Sequence, residues 1–306
     1  MPSWNETLAE LQQNAKGPHD HLRLKYLKLL RKHTGRNVLA YYSGWLQKPG
    51  ILTFDFGIND SDKIGFMTCS KGLDRSKGLD ILLHTPGGDV AATESIIDYL
   101  HGLYDGDIRA IVPQLAMSGG TLMAVSCKEI LMGRQSSLGP VDPQIQGMPA
   151  QGIIEEFNRA VAEVTANPAA VPIWQPIIGK YWPTLITSCQ HAVNWSDDLL
   201  SRYLASCMFA SDDQPLRDEK VEAVRNLLGQ QATSKSHNRH INPDKARSVG
   251  LNVVNLEDDN KLQDIVLTLH HSLMLTFSQT QAAKVIENHN GVAYVIQAQP
   301  VQRPTQ

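Results

Sequence analysis

Two glycine-rich turns, at "HTPGGD" (84–89) and "AMSGG" (116–120), constrain this chain more than any other feature. The first ends "LDILLHTPGGDV", where a short apolar run closes in Pro-Gly-Gly. That is how a buried parallel strand feeding a turn reads. After Asp89, "AATESIIDYLHGLY" places Ile96, Ile97, Leu100, Leu103 and Tyr104 on one helical face. "DIRAIVP" is the next strand, "AMSGGTLMAVSC" a turn and a helix, and "EILMG" a further strand. Strand, helix, strand, helix, strand in one continuous stretch predicts right-handed βαβ units and an α/β fold. In an open parallel sheet the turns at neighbouring strand ends face one crevice. The two glycine-rich turns are therefore expected to meet.

The residues at that meeting point suit acyl chemistry. Ser118 stands between a strand and a helix and is followed by Gly119-Gly120. Read locally, it is either the N-cap of the helix or a nucleophile. Backbone N–H groups from around Gly88 and from Gly119 are placed to face one developing oxyanion. His84 precedes the first turn and is either a crevice residue or a core histidine. Asp142, between Pro140 and Pro143, either orients a catalytic group or only turns the chain.

The rest of the chain divides by texture. Residues 1–36 read as an N-terminal helical arm, 37–150 as the α/β core and 151–306 as a helical extension. "NVLAYYSGW" (37–45) and "KIGFMTCS" (63–70) read as strands, and "LQDIVLTLHHSLMLTFSQT" as a last long helix. "NPAAVPIWQPIIGKYWPT" is too rich in proline to be one regular helix.

Composition narrows the function classes. The net charge of -3 argues against nucleic acid or an anionic membrane as partner. No apolar stretch reaches the roughly 18 residues of a membrane span, and the N-terminus lacks a signal-peptide layout. Four scattered cysteines fit reduced thiols, so a cytoplasmic location is expected. The pairs His237/His240 and His270/His271 lack the spacing and partners of a zinc motif, so no metal is expected. Neither a G-x-G-x-x-G nor a P-loop pattern occurs, and no cofactor is expected.

"ILLHTPGGDVAATESIIDYL" followed by "IRAIVPQLAMSGGTLMAVSCKEILMGRQSSLGPVDPQI" resembles the Clp-protease/crotonase superfamily, and within it the serine dehydrogenase proteinase family, a relative of signal peptide peptidase A. "SHNRHINPDKARSVGLNV" resembles that family's closing segment, here near 237–256. The resemblance implies stacked β-β-α units for the 37–150 core, a serine peptidase acting on a peptide or protein, and a homo-oligomer. It implies Ser118 as nucleophile and Gly88 and Gly119 as the oxyanion hole. The region around "GPVDPQI" offers Asp142 and no histidine, unlike the Clp protease proteolytic subunit. Signal peptide peptidase A uses a Ser-Lys dyad with the lysine some tens of residues downstream. Lys128 and Lys180 are the lysines between Ser118 and Glu219. Lys128 falls at the far end of the nucleophile helix, which leaves Lys180, amid aromatic and apolar neighbours, as the expected base. Two other functions suit the same fold: a catalytically silent oligomeric scaffold, and acyl-CoA hydratase-type chemistry, which would not use Ser118.

Overall fold

The computed structural model describes residues 7, 17–48, 56–229 and 239–298. In chain order the elements begin with α1 (Pro18–Thr34), β1 (Asn37–Ser43), α2 (Asp60–Ser70), β2 (Leu79–His84), α3 (Val90–Tyr104) and β3 (Ile108–Val112). Then come β4 (Leu115–Ala116), α4 (Gly119–Val125), β5 (Glu129–Met132), β6 (Ser137–Leu138), β7 (Gln144–Ile145) and β8 (Met148–Pro149). The second half holds α5 (Ala150–Ala166), α6 (Val171–Ile178), α7 (Leu185–Tyr203), α8 (Gln214–Leu228), α9 (Pro243–Ser248), β9 (Val253–Asn255), α10 (Asn260–Gln279), β10 (Ala282–Asn288) and β11 (Ala293–Gln297).

A seven-stranded sheet runs in the order β11-β10-β1-β2-β3-β5-β9. From β1 to β9 neighbouring strands are parallel, while β10 is antiparallel to both β1 and β11. Every residue of β1 and of β2 is buried. Strands read this way when helices cover both faces of a parallel sheet. One face packs on α2, α3, α4, α7 and α8 through Phe66, Ile96, Leu122, Leu200 and Leu228. The other packs on α1 and α10 through Leu27, Leu30, Leu269, Leu273 and Phe277.

A second, short ladder crosses the carboxyl ends of the main strands. It consists of parallel bridges Ile58–Gly88 and Thr85–Ala116, the parallel pair β4–β6, and the antiparallel bridge Leu138–Ile241. Main strand, short strand, helix is the β-β-α unit, and the sheet is built by stacking it. The fold is thus the α/β fold that the turns predict, built from the stacked β-β-α units that the Clp-protease resemblance implies.

Three stretches differ from the sequence reading. Residues 63–70, read as a strand, lie in α2. Asn59 caps this helix by accepting from the Ser61 N–H, and the Asp62 carboxylate accepts from the Asn59 N–H. Such a reciprocal cap favours a helix over the β-propensity of the residues that follow. Residues 151–306 are not wholly helical, since β9, β10 and β11 all join the main sheet. Of the arm expected over 1–36, Thr7 and the residues from Gly17 onward are described, and its helix α1 packs on α10 as part of the core.

The helices α5, α6 and α7 form an arm with its own small core of Ala150, Ile153, Ile154, Leu185, Cys189 and Val193. Pro176 lies inside α6, which spans only eight residues. The arm also presents apolar side chains to solvent, with Val161 67% and Ile173 65% exposed.

Candidate active site

The two glycine-rich turns meet because β2 and β3 end side by side. The Thr85 N–H donates to Leu115 O at 3.1 Å, and the Met117 N–H donates to Thr85 O at 3.0 Å. This zips the segment leaving β2 to β4, one residue before the serine turn. Gly87, at φ 93°, lies flat against that turn: a Cβ there would stand 2.6 Å from Ser118 Cβ and 2.7 Å from Met117 O. Only glycine fits so close an approach.

Ser118 is the N-cap residue of α4, yet its side chain makes no capping hydrogen bond. Its backbone sits at φ 50°, ψ -117°. A non-glycine residue there costs on the order of 1–3 kcal/mol, and such outliers collect at functional sites. The geometry is the sharp strand–turn–helix elbow that lifts a side chain out of the backbone. Capping therefore does not account for this serine.

Two backbone N–H groups flank it. Neither Gly88 N nor Gly119 N donates a hydrogen bond among the described residues. A Cβ built on Gly119 would lie 3.6 Å from Gly88 N, so the two amides stand close together. In the parallel bridge to Ile58, Gly87 O and Asp89 N face the neighbouring segment. The alternation of a parallel ladder turns Gly88 N the other way.

Ser118 and Gly88 open on a cleft of about 380 Å³ lined also by Pro86, Asp89, Val90, Pro143, Gln144, Ala192 and Trp195. The wall from α7 was not visible in sequence. Ala192 and Trp195 sit on an amphipathic helix some seventy-five residues past the nucleophile turn. Trp195 is anchored by its Nε1–H to Glu94 on α3 at 3.1 Å.

The remaining sequence candidates lie elsewhere. His84 is fully buried on the α10 side of the sheet, stacked on Trp45 with ring centroids 4.4 Å apart and in edge contact with His270 at 5.2 Å. Burial holds its pKa well below the usual imidazole value, so it is neutral. Lys180 is exposed in the turn after α6 and is not among the residues that line the cleft. Asp142 is half-buried, and its carboxylate accepts from the Gln144 side chain at 2.8 Å, next to the cleft wall. Lys128 is exposed and pairs with Asp107 at 3.5 Å.

Of the histidine pairs weighed for metal, His237 lies outside the described residues and His240 is exposed. Among the described residues no group of three His, Cys, Asp or Glu side chains is arranged to hold a metal ion. Nor is any described helix long and apolar enough to cross a membrane.

A model of the ClpP-like SDH-type serine proteinase family matches residues 21–170, a stretch that includes both turns. The chain is 32% identical over 151 residues to the uncharacterized protein MJ0137 of Methanocaldococcus jannaschii, covering 47% of this chain and 52% of that one. It is 33% identical over 146 residues to a second uncharacterized protein of that organism, MJ1495, covering 47% and 49%. The chain thus spans about half the length of the curated relatives it matches. Through residues 21–170, with the stacked β-β-α units and the paired turns they build, the chain belongs to the ClpP-like SDH-type serine proteinase family.

Proposed function

We propose that the protein is a serine peptidase in which Ser118 is the nucleophile and Gly88 N and Gly119 N form the oxyanion hole. The observation that carries this reading is an uncapped serine at positive φ beside two unused backbone amides, all at one cleft. Ser118 Oγ attacks the scissile carbonyl carbon as its proton passes to the base. The two amides hold the resulting oxyanion, the amine leaves with the proton, and water then releases the acyl group from Ser118.

Lys180 is the proposed base, supplied by a second copy. No histidine or lysine is among the residues lining the cleft. Lys180 stands instead at the tip of an arm whose exposed Ile173 and Trp182 suit a protein contact. Burial in that contact would strip water from the amine, the condition under which a lysine serves as a base.

A fluorophosphonate probe tests both parts. Wild type is expected to label, Ser118→Ala to lose labelling by about a thousand-fold or more, and Lys180→Ala to lose most of it. Mixing Ser118→Ala with Lys180→Ala protein should restore labelling on the Lys180→Ala chains, because each mixed contact joins an intact serine to an intact lysine. Full labelling of Lys180→Ala removes the lysine, and a monomeric mass by light scattering removes the shared site. The absence of a base from the cleft of a single copy also suits a catalytically silent scaffold, for which wild type would remain unlabelled.

A further inference from the structure

Lys284, on β10, is 1% exposed and forms an ion pair with Asp62, which is 0% exposed. Its ammonium donates to both Asp62 carboxylate oxygens at 2.9 Å and to Gly57 O at 2.6 Å. Asp62 accepts in addition from the Tyr41 hydroxyl at 2.8 Å and from the Asn59 N–H at 3.0 Å. These contacts converge on one short strap, residues 57–59, from three separate elements: β1, α2 and β10.

The strap lies directly behind the first glycine-rich turn. The Ile58 N–H donates to Gly87 O at 2.7 Å, and the Asp89 N–H donates to Ile58 O at 2.8 Å. Gly88 is held between these two bonds, and a Cβ on it would collide with the backbone of Ile58. The strap therefore sets where the Gly88 N–H stands relative to Ser118. Because a buried ion pair adds little net stability over an apolar packing of the same shape, its value lies in directional bonds that fix one geometry.

We infer that Lys284 and Asp62 are positioning residues for the oxyanion turn, acting through the strap on the Gly88 amide. The catalytic half of this inference rests on the Ser118 reading above; the anchoring half does not. Two readouts keep the halves apart. The first is hydrogen–deuterium exchange over residues 85–93. The second is the concentration dependence of fluorophosphonate labelling.

The test variant is the double substitution Lys284→Met with Asp62→Asn, which removes the ammonium from Gly57 O without leaving a lone buried charge. The control is Arg23→Met with Glu287→Gln, which breaks another buried pair, 2.7 Å apart and made by α1 with β10. Exchange over 85–93 is expected to rise about ten-fold or more in the test variant and to stay near wild type in the control. The maximal labelling rate is expected to fall about ten-fold or more, with the half-saturating probe concentration unchanged. Unchanged exchange over 85–93 in the folded test variant overturns the inference, as does an equal rise in the control. If wild type does not label at all, the Ser118 reading fails, and the exchange result alone then decides whether the pair anchors the turn.

Discussion

Tyr41 and Tyr42 are neighbours in β1, both fully buried, and they point to opposite faces of the sheet. The Tyr41 hydroxyl reaches Asp62 and through it Lys284, in a cluster where each charge has several partners. Among the described residues the Tyr42 hydroxyl has no hydrogen-bond partner, and neither has either ring nitrogen of His84 or Nδ1 of His270, all in the same aromatic group. Around the Tyr41 hydroxyl, behind the oxyanion turn, the buried charges are paired, while the aromatic group around Tyr42 is kept neutral. Burial alone pushes the Tyr42 hydroxyl pKa up, and burial with the neighbouring His271 pushes the His270 pKa down to about 3. A buried polar group is tolerated when its partners are supplied, and a buried titratable group without them is tolerated only uncharged.

The comparison breaks most visibly at Lys284. Lys284→Met alone leaves Asp62 a buried carboxylate without its ammonium and is expected to cost about 3–5 kcal/mol in urea unfolding. A loss well under about 1 kcal/mol would mean that the pair is hydrated after all. Acid sharpens the other side. The folded pKa values of His84 and His270 lie below the ordinary imidazole value, so the unfolded chain binds protons first as pH falls. Their neutral burial carries no penalty above about pH 6.5, and below it each costs about 1.4 kcal/mol per pH unit until its folded pKa is reached. Between pH 7 and 5 His270 alone should remove about 2 kcal/mol, and His84 should add to that loss. Replacing both by Phe should abolish that part of the acid loss in unfolding measured at the two pH values. The smallest expected effect separates the tyrosines themselves. Tyr41→Phe should cost about 1.5–3 kcal/mol, the value of a hydrogen bond to a charged group, and Tyr42→Phe about nothing. Equal thermal shifts for the two would dissolve the contrast.

What was legible in sequence follows the same division between local and distant. Gly88, Ser118 and Gly119 were readable because a strand, a glycine turn and a helix are consecutive, and neighbouring parallel strands bring such turns together. The long helix read at 262–280 is α10 for a similar reason, a sustained apolar period in one segment. By contrast, Lys284 and Asp62 are 222 residues apart, and no local pattern links them. His84 illustrates the period-2 ambiguity of a buried strand: from sequence it stood beside the turn, but alternation sends it to the α10 face. For α2 a signal was present and outweighed: the Asn59…Asp62 capping box precedes a run that looks like a strand.

The two tyrosines also bear on register. Because β1 is buried along its whole length, hydrophobicity does not distinguish one of its faces from the other. A slip by one residue would turn Tyr42 toward Asp62 and Tyr41 toward the imidazoles, and it would move Ser43 away from its bond to Phe56 O at 2.8 Å. Either tyrosine could then meet Asp62, so the bonds at the ends of the strand, Ser43 to Phe56 O and the Asn37 amide to Gly78 O, mark the alignment in which β1 pairs with β2 and β10. A strand that could slide without exposing apolar surface is indexed by the polar side chains at its two ends.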